Sequence, residues 1–144
     1  MTMRILKRIR QEEGQGMVEF AMVLPILMAV MLGIVQFGII FNNYETLTDA
    51  SRVAARRAAT SRFVGDNGAS AVTAAKNAAS NLNLTNAQIE ISSCAPGTYP
   101  CTTQDWTTPG NEVTVKLTFP YSIKILDWAV KSGNLTVIQK ERLE

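Results

Sequence analysis

The sequence contains no histidine. That removes the commonest general acid–base group and the commonest metal ligand at neutral pH. Only two cysteines are present, Cys94 and Cys101, which with no histidine fall short of a four-ligand zinc site. Their spacing is not C-x-x-C, so a redox dithiol is not indicated either. A formal net charge of +2 is too small to suggest a nucleic-acid binder, and the basic residues are scattered rather than gathered into a stripe. No G-x-S-x-G, H-E-x-x-H or phosphate-binding loop occurs, so no catalytic motif is in view. Asp105, Glu112 and Asp127 are the only acids that invite pairing as catalytic carboxylates, and they read more simply as isolated surface acids. We therefore expect a non-enzyme with no cofactor and no metal. The two glycosylation sequons, at Asn83 and Asn134, are short enough to arise by chance.

A different absence organises the chain. From Phe20 to Tyr44 there is no charged residue. The apolar part, Phe20 to Phe41, makes a helix of about 33 Å at ~1.5 Å per residue, matching a hydrocarbon core of ~30 Å. In lipid a single span satisfies its backbone polar groups only as a helix. Pro25, Gly33, Gln36 and Gly38 are its only punctuation. Pro25 removes one intrahelical hydrogen bond, so a kink or local unwinding is expected near Ala21–Pro25. A cleavable secretory signal fits poorly. The run is too long for one and leaves through Ile40, Phe41, Asn42 and Asn43 without a small-x-small site. Arg4, Lys7, Arg8 and Arg10 precede the run, and such clusters stay cytoplasmic, so the remainder is expected outside the cytoplasm.

Glu19 stands one residue before this run. A carboxylate there costs little at headgroup level, but ~2.5–3.5 kcal/mol if drawn to the centre of the bilayer. Five residues upstream of it stands Gly14. The string Gly14-Gln15-Gly16-Met17-Val18-Glu19-Phe20 before a long apolar helix resembles a type IV prepilin processing site, in the G-x-x-x-x-E-[YF] form of Tad/Flp pilus components. The run GQGMVEFAMVLPILMAVMLGIVQFG, followed by YETLTDASRVAARRAA, resembles TadE-like pilus assembly proteins, with a looser likeness in EVTVKLTFPYSI and NLTVIQKERLE.

The resemblance implies cleavage between Gly14 and Gln15 by a membrane-embedded prepilin peptidase, which makes Glu19 the fifth residue of the mature chain. Gly16 competes as the cut site but would put Ala21 in fifth place. The sequence departs from the usual pattern in having Phe20 where tyrosine is frequent and the acidic pair Glu12-Glu13 before the cut. Glu19 and Phe20 are then the residues that set assembly register. The implied partners are the peptidase, other pilins and pseudopilins, the inner-membrane pilus platform and membrane lipid, with no nucleic acid. The implied place is the bacterial inner membrane, single-pass, N-terminus cytoplasmic, extending to a pilus or the cell surface. A minor pseudopilin acting in pilus assembly, initiation or adhesion is the first reading. An uncleaved, membrane-tethered extracytoplasmic binding module is the second.

Beyond Phe41 the helix should continue as a stalk to Arg62. Tyr44, Leu47, Ala50 or Ser51, Ala54 and Ala58 recur along one face, opposite Glu45, Asp49, Arg52, Arg56 and Arg57. Gly65-Asp66-Asn67-Gly68 reads as a turn, Ala69 to Asn81 as a second helix, and Gln88 to Ser92 as a short strand. Cys94 and Cys101 bracket a Pro/Gly-rich turn and, outside the cytoplasm, are expected to form a disulfide. Tyr99 and Trp106 beside them read as loop aromatics or a lid on the core, with a contact surface as the sharper reading.

Asn111 to Tyr121 is the clearest strand, with Val113, Val115, Leu117 and Phe119 on one face and Pro120 ending it. Ser122 to Val130 reads as a short helix or irregular connector, Ser132-Gly133-Asn134 as a turn, and Leu135 to Leu143 as the last strand. The expected fold is α+β, a three-stranded antiparallel sheet with the long helix laid across one face. Its expected divisions are a leader (1–14), a membrane and stalk helix (15–62) and an extracytoplasmic head (63–144).

Overall fold

The computed structural model describes residues 2–125 and 128–144, with side chains described over 15–124 and 130–144. One helix, α1 (Thr2–Ala59), takes up the first part of the chain. It continues without interruption through Pro25. After it come a single turn, α2 (Ser61–Val64), a helix, α3 (Ala69–Ala78), and three strands, β1 (Ile89–Cys94), β2 (Glu112–Ile125) and β3 (Trp128–Arg142). The sheet is antiparallel in the order β1-β2-β3. The α+β architecture is as the sequence led us to expect.

The two halves of α1 have opposite surroundings. From Met17 to Phe41 the large apolar side chains other than Ile40 are exposed; Met17 is 77% and Phe37 69% accessible. A helix apolar all round needs an apolar medium, and this one is long and apolar enough to cross a membrane. From Leu47 onward one face is buried: Leu47, Ala50, Ser51, Ala54, Ala55 and Ala58. Tyr44, expected on that face, is instead exposed. Because the face is mostly alanine, each residue buries little area, but the backbone approaches α3 and the sheet closely. Ala71, Ala75 and Ala79 line the α3 side, and Val113, Val115, Leu117, Val137 and Leu143 the sheet side of this core. Among the described residues, the polar face of α1 carries one ion pair, Asp49 with Arg52 at 3.6 Å. It is too exposed to matter much for stability.

Registry explains which sheet face is buried. Ile89 pairs with Leu117 and Leu117 with Val137, while Ile91 pairs with Val115. Alternation then turns Val113, Val115 and Leu117 inward as expected. On the outer face Glu90 lies opposite Lys116, and their side chains meet at 2.9 Å. Hydrogen bonding to Glu90 raises the Lys116 pKa.

The hairpin departs from expectation. Pro120 does not end β2, Ser122 to Ile125 and Trp128 to Val130 are strand rather than connector, and Ser132-Gly133-Asn134 is strand rather than turn. Of that connector, Leu126 and Asp127 lie outside the described residues. Two contacts explain the continuation. β1 pairs no further along β2 than Leu117, so Pro120 lies where β2 has a free edge, and an edge tolerates proline. Gly133 pairs with Tyr121, whose ring lies over it, 3.1 Å from where a Cβ would stand. An aromatic covering a cross-strand glycine restores the packing that glycine lacks. The second helix is shorter than expected, ending at Ala78 and giving way to a 3-10 turn, Ser80–Leu82. The first strand is shifted to Ile89–Cys94.

Candidate functional site

The residues singled out by sequence fall in two places at opposite ends of the molecule. The first is the start of the apolar run. Gly14 lies within α1, and the side chains before Gln15, including Arg4, Lys7, Arg8, Arg10, Glu12 and Glu13, lie outside those described. Gln15 and Glu19 are one helical turn apart, and the Gln15 amide donates to the Glu19 carboxylate at 3.5 Å, a long and therefore weak bond. Both are exposed, as is Phe20. Helical geometry thus brings two of the predicted positions, Gln15 and Glu19, onto one face. Pro25 is a turn and a half further on, exposed in the apolar run.

The second place is the far end of the head. Glu19 and Ala59 are separated by about 60 Å of helix at ~1.5 Å per residue. Around Ala59 the chain is knotted into a cap. The Glu144 amide donates to the Ala59 carbonyl (3.0 Å), the Leu143 amide to Asn111 (2.7 Å) and the Gly110 amide to Leu143 (2.9 Å). Leu143 is buried. The Cys94–Cys101 disulfide is present, with a Cα–Cα distance of 5.9 Å. The loop it closes is also tied at its base. The Asp105 amide donates to the Ser93 carbonyl at 2.8 Å, and the Ser93 hydroxyl donates to the Asp105 carbonyl at 2.6 Å. Because those bonds hold the loop without the sulfurs, and because a loop this short removes little entropy, replacing both cysteines by serine should lower head stability by only about 1–3 kcal/mol. Denaturant unfolding with and without reductant measures this; a loss of all cooperative structure would contradict it.

Of the acids considered as catalytic, Asp105 and Glu112 are engaged. The Asp105 carboxylate accepts from the Thr107 hydroxyl (2.7 Å) and amide (2.9 Å). The hydroxyls of Thr108 and Thr107 and the Thr107 amide hold its carboxyl well below the usual range. The contribution of that turn is therefore present above ordinary carboxylate pKa values and lost only as pH falls through the depressed one. Glu112 is paired with Lys140 at 2.5 Å. Asp127 lies outside the described residues. Trp106 is a lid on the core, buried, with its indole N–H donating to Gln104 at 3.1 Å.

Two features escaped sequence reading. The six-membered ring of Trp106 packs on Gly68, which has φ +84°. And Gln36, read only as punctuation in the apolar run, hydrogen-bonds through its amide group to both the N–H and the C=O of Lys124, accepting from the N–H at 2.9 Å. The available signal for the second was a lone amide side chain in an otherwise apolar helix.

Comparison with known proteins places a family match on the first of the two sites. The model of the TadE-like protein family matches residues 14–56, from the predicted cut site through the buried face of the stalk. No curated protein and no solved structure matches the chain.

Proposed function

From the match of the TadE-like protein family model to residues 14–56, we propose a minor pseudopilin of a Tad pilus. A prepilin peptidase cuts it after Gly14, it is held in the inner membrane by α1 with the head outside the cytoplasm, and it docks by that helix against other pilins, pseudopilins and the pilus platform. The observation that carries this reading is the unbroken rod: exposed apolar side chains from Met17 to Phe41 continue directly into the helix that forms the head's core. A rod of that kind transmits position from membrane to head without a flexible linker. Mature pilus subunits packing side by side bury the same surface that lipid covers before assembly.

Cleavage would free an α-amine at Gln15, with a pKa of about 7.7–8.0 and so largely charged at neutral pH. Glu19, one turn along, is placed to accept it from its own or a neighbouring chain. Among packed apolar helices the attraction is stronger than in water, opposed by the desolvation of both groups. Glu19→Gln keeps the shape and removes the charge. It should leave processing intact but reduce crosslinking to other pilus components. Unchanged crosslinking would remove Glu19 from the register.

The intact mass of the membrane-extracted protein tests the proposal itself. Loss of residues 1–14, dependent on the peptidase, is the expected result. A full-length chain in peptidase-competent cells would favour an uncleaved, membrane-tethered binding module.

A further inference from the structure

The β2–β3 hairpin lies along the outer half of α1, with β2 running opposite to the helix and β3 with it. Its base lies near Ala59, where Leu143 and Glu144 are tied down, and Lys124 near its far end is bonded to Gln36. The lengths agree. Gln36 to Ala59 is about 34 Å of helix at ~1.5 Å per residue, and Glu112 to Lys124 is about 40 Å of strand at ~3.3 Å per residue. Because β1 stops opposite Leu117, the last part of the hairpin is a two-stranded ribbon. Such a ribbon is marginal in water by itself.

Gln36 lies five residues before Phe41, the end of the apolar run, so about 7.5 Å inside it along the helix axis. A backbone bonded to Gln36 therefore sits at the depth where α1 leaves lipid. Non-helical backbone at that depth must have its polar groups satisfied by protein or water. The Gln36 amide does this for Lys124, occupying both its N–H and its C=O, as one rung of an added strand would. The described side chains there suit an interface. Val130 is 62% exposed, and Lys124 and Lys131 are exposed, with stems long enough to lay apolar carbon along lipid and reach phosphate with the ammonium.

We infer that the β2–β3 hairpin at Lys124, Val130 and Lys131 is a second membrane contact, seated where the outer hydrocarbon meets the headgroups and held at that depth by the Gln36–Lys124 bonds. The inference rests on the reading of α1 as a membrane span. The head would then stand on the bilayer at two points, the helix and the hairpin, which fixes its tilt and rotation as one point cannot.

Spin labels on single added cysteines in the full chain, reconstituted into vesicles of phosphatidylethanolamine and phosphatidylglycerol, test it. A label at Val130→Cys should be relaxed more by oxygen than by a water-soluble nickel chelate. A label at Asn77→Cys on exposed α3 should show the reverse. A label at Ile34→Cys reports the span. If Ile34→Cys reads as lipid and Val130→Cys as water, this inference fails while the proposed function stands; if Ile34→Cys also reads as water, both fail. Adding Gln36→Leu to the Val130→Cys chain should raise label mobility and nickel access while the Ile34→Cys signal stays unchanged. No change at position 130 would overturn the role of Gln36.

Discussion

Gly14→Val is expected to abolish processing and, with it, incorporation into any assembly, while the chain still inserts in the membrane. A β-branched residue replaces the glycine on which the implied cut depends. The consequence is electrostatic. The uncut chain keeps Arg4, Lys7, Arg8 and Arg10 ahead of its apolar rod. In the membrane these sit in water and headgroups at little cost. Among packed apolar helices each would need a partner or water, and an unpaired buried charge costs several kcal/mol. The uncut rod also offers no α-amine to Glu19. The measurement is paired: intact mass for the retained leader, and surface appendages and adhesion for the assembly. A Gly14→Val strain with a full-length product and wild-type appendages would show that the leader is no obstacle to docking. The proposed role would then be lost. Gly16→Val serves as the control. It leaves the better register untouched, so cleavage should persist.

Gly68→Ala is expected to be the most damaging single-methyl change in the head. Gly68 has φ +84°, where a Cβ costs roughly 1–2 kcal/mol. That Cβ would also stand 2.8 Å from the Trp106 ring, closer than real contacts allow, so the buried indole must move. Overpacking of this kind adds roughly 1–3 kcal/mol, so the total is about 2–5 kcal/mol. The same residue begins the second helix: its amide is bonded to Asp66, as is that of Ser70, at 3.1 and 2.8 Å. Gly97→Ala separates the two causes. Gly97 has φ +81° but open space around it, so only the backbone term applies. Denaturant unfolding followed by tryptophan emission measures both. Equal losses in the two variants would mean that the Trp106 ring yields freely and does not lid the core.

Some of this architecture was legible because its cause is local. The absence of charge from Phe20 to Tyr44 sets a membrane-length helix whatever else the chain does. Alternation at Val113, Val115, Leu117 and Phe119 sets the inward face of β2, since a strand turns successive side chains to opposite sides. The pairing of Cys94 with Cys101 followed from there being no third thiol and from the turn between them. The head's core on α1 could also be read from its alanine spacing, apart from Tyr44, which is exposed.

What the sequence alone determined, then, was an apolar rod of membrane-spanning length, the order of helix and strands, and the side each strand presents. Only the tertiary structure decided how far the hairpin reaches, that Pro120 and Gly133 lie within strands, and that Gln36 is a ligand for a backbone rather than a tolerated polar residue. These rest on contacts between residues far apart in the chain: Gln36 with Lys124 across 88 positions, Trp106 on Gly68, Tyr121 over Gly133. Local preference assigns a proline, or a Ser-Gly-Asn triplet, to a turn. A free sheet edge and an aromatic ring on the neighbouring strand reverse that preference, and neither exists until the chain has folded.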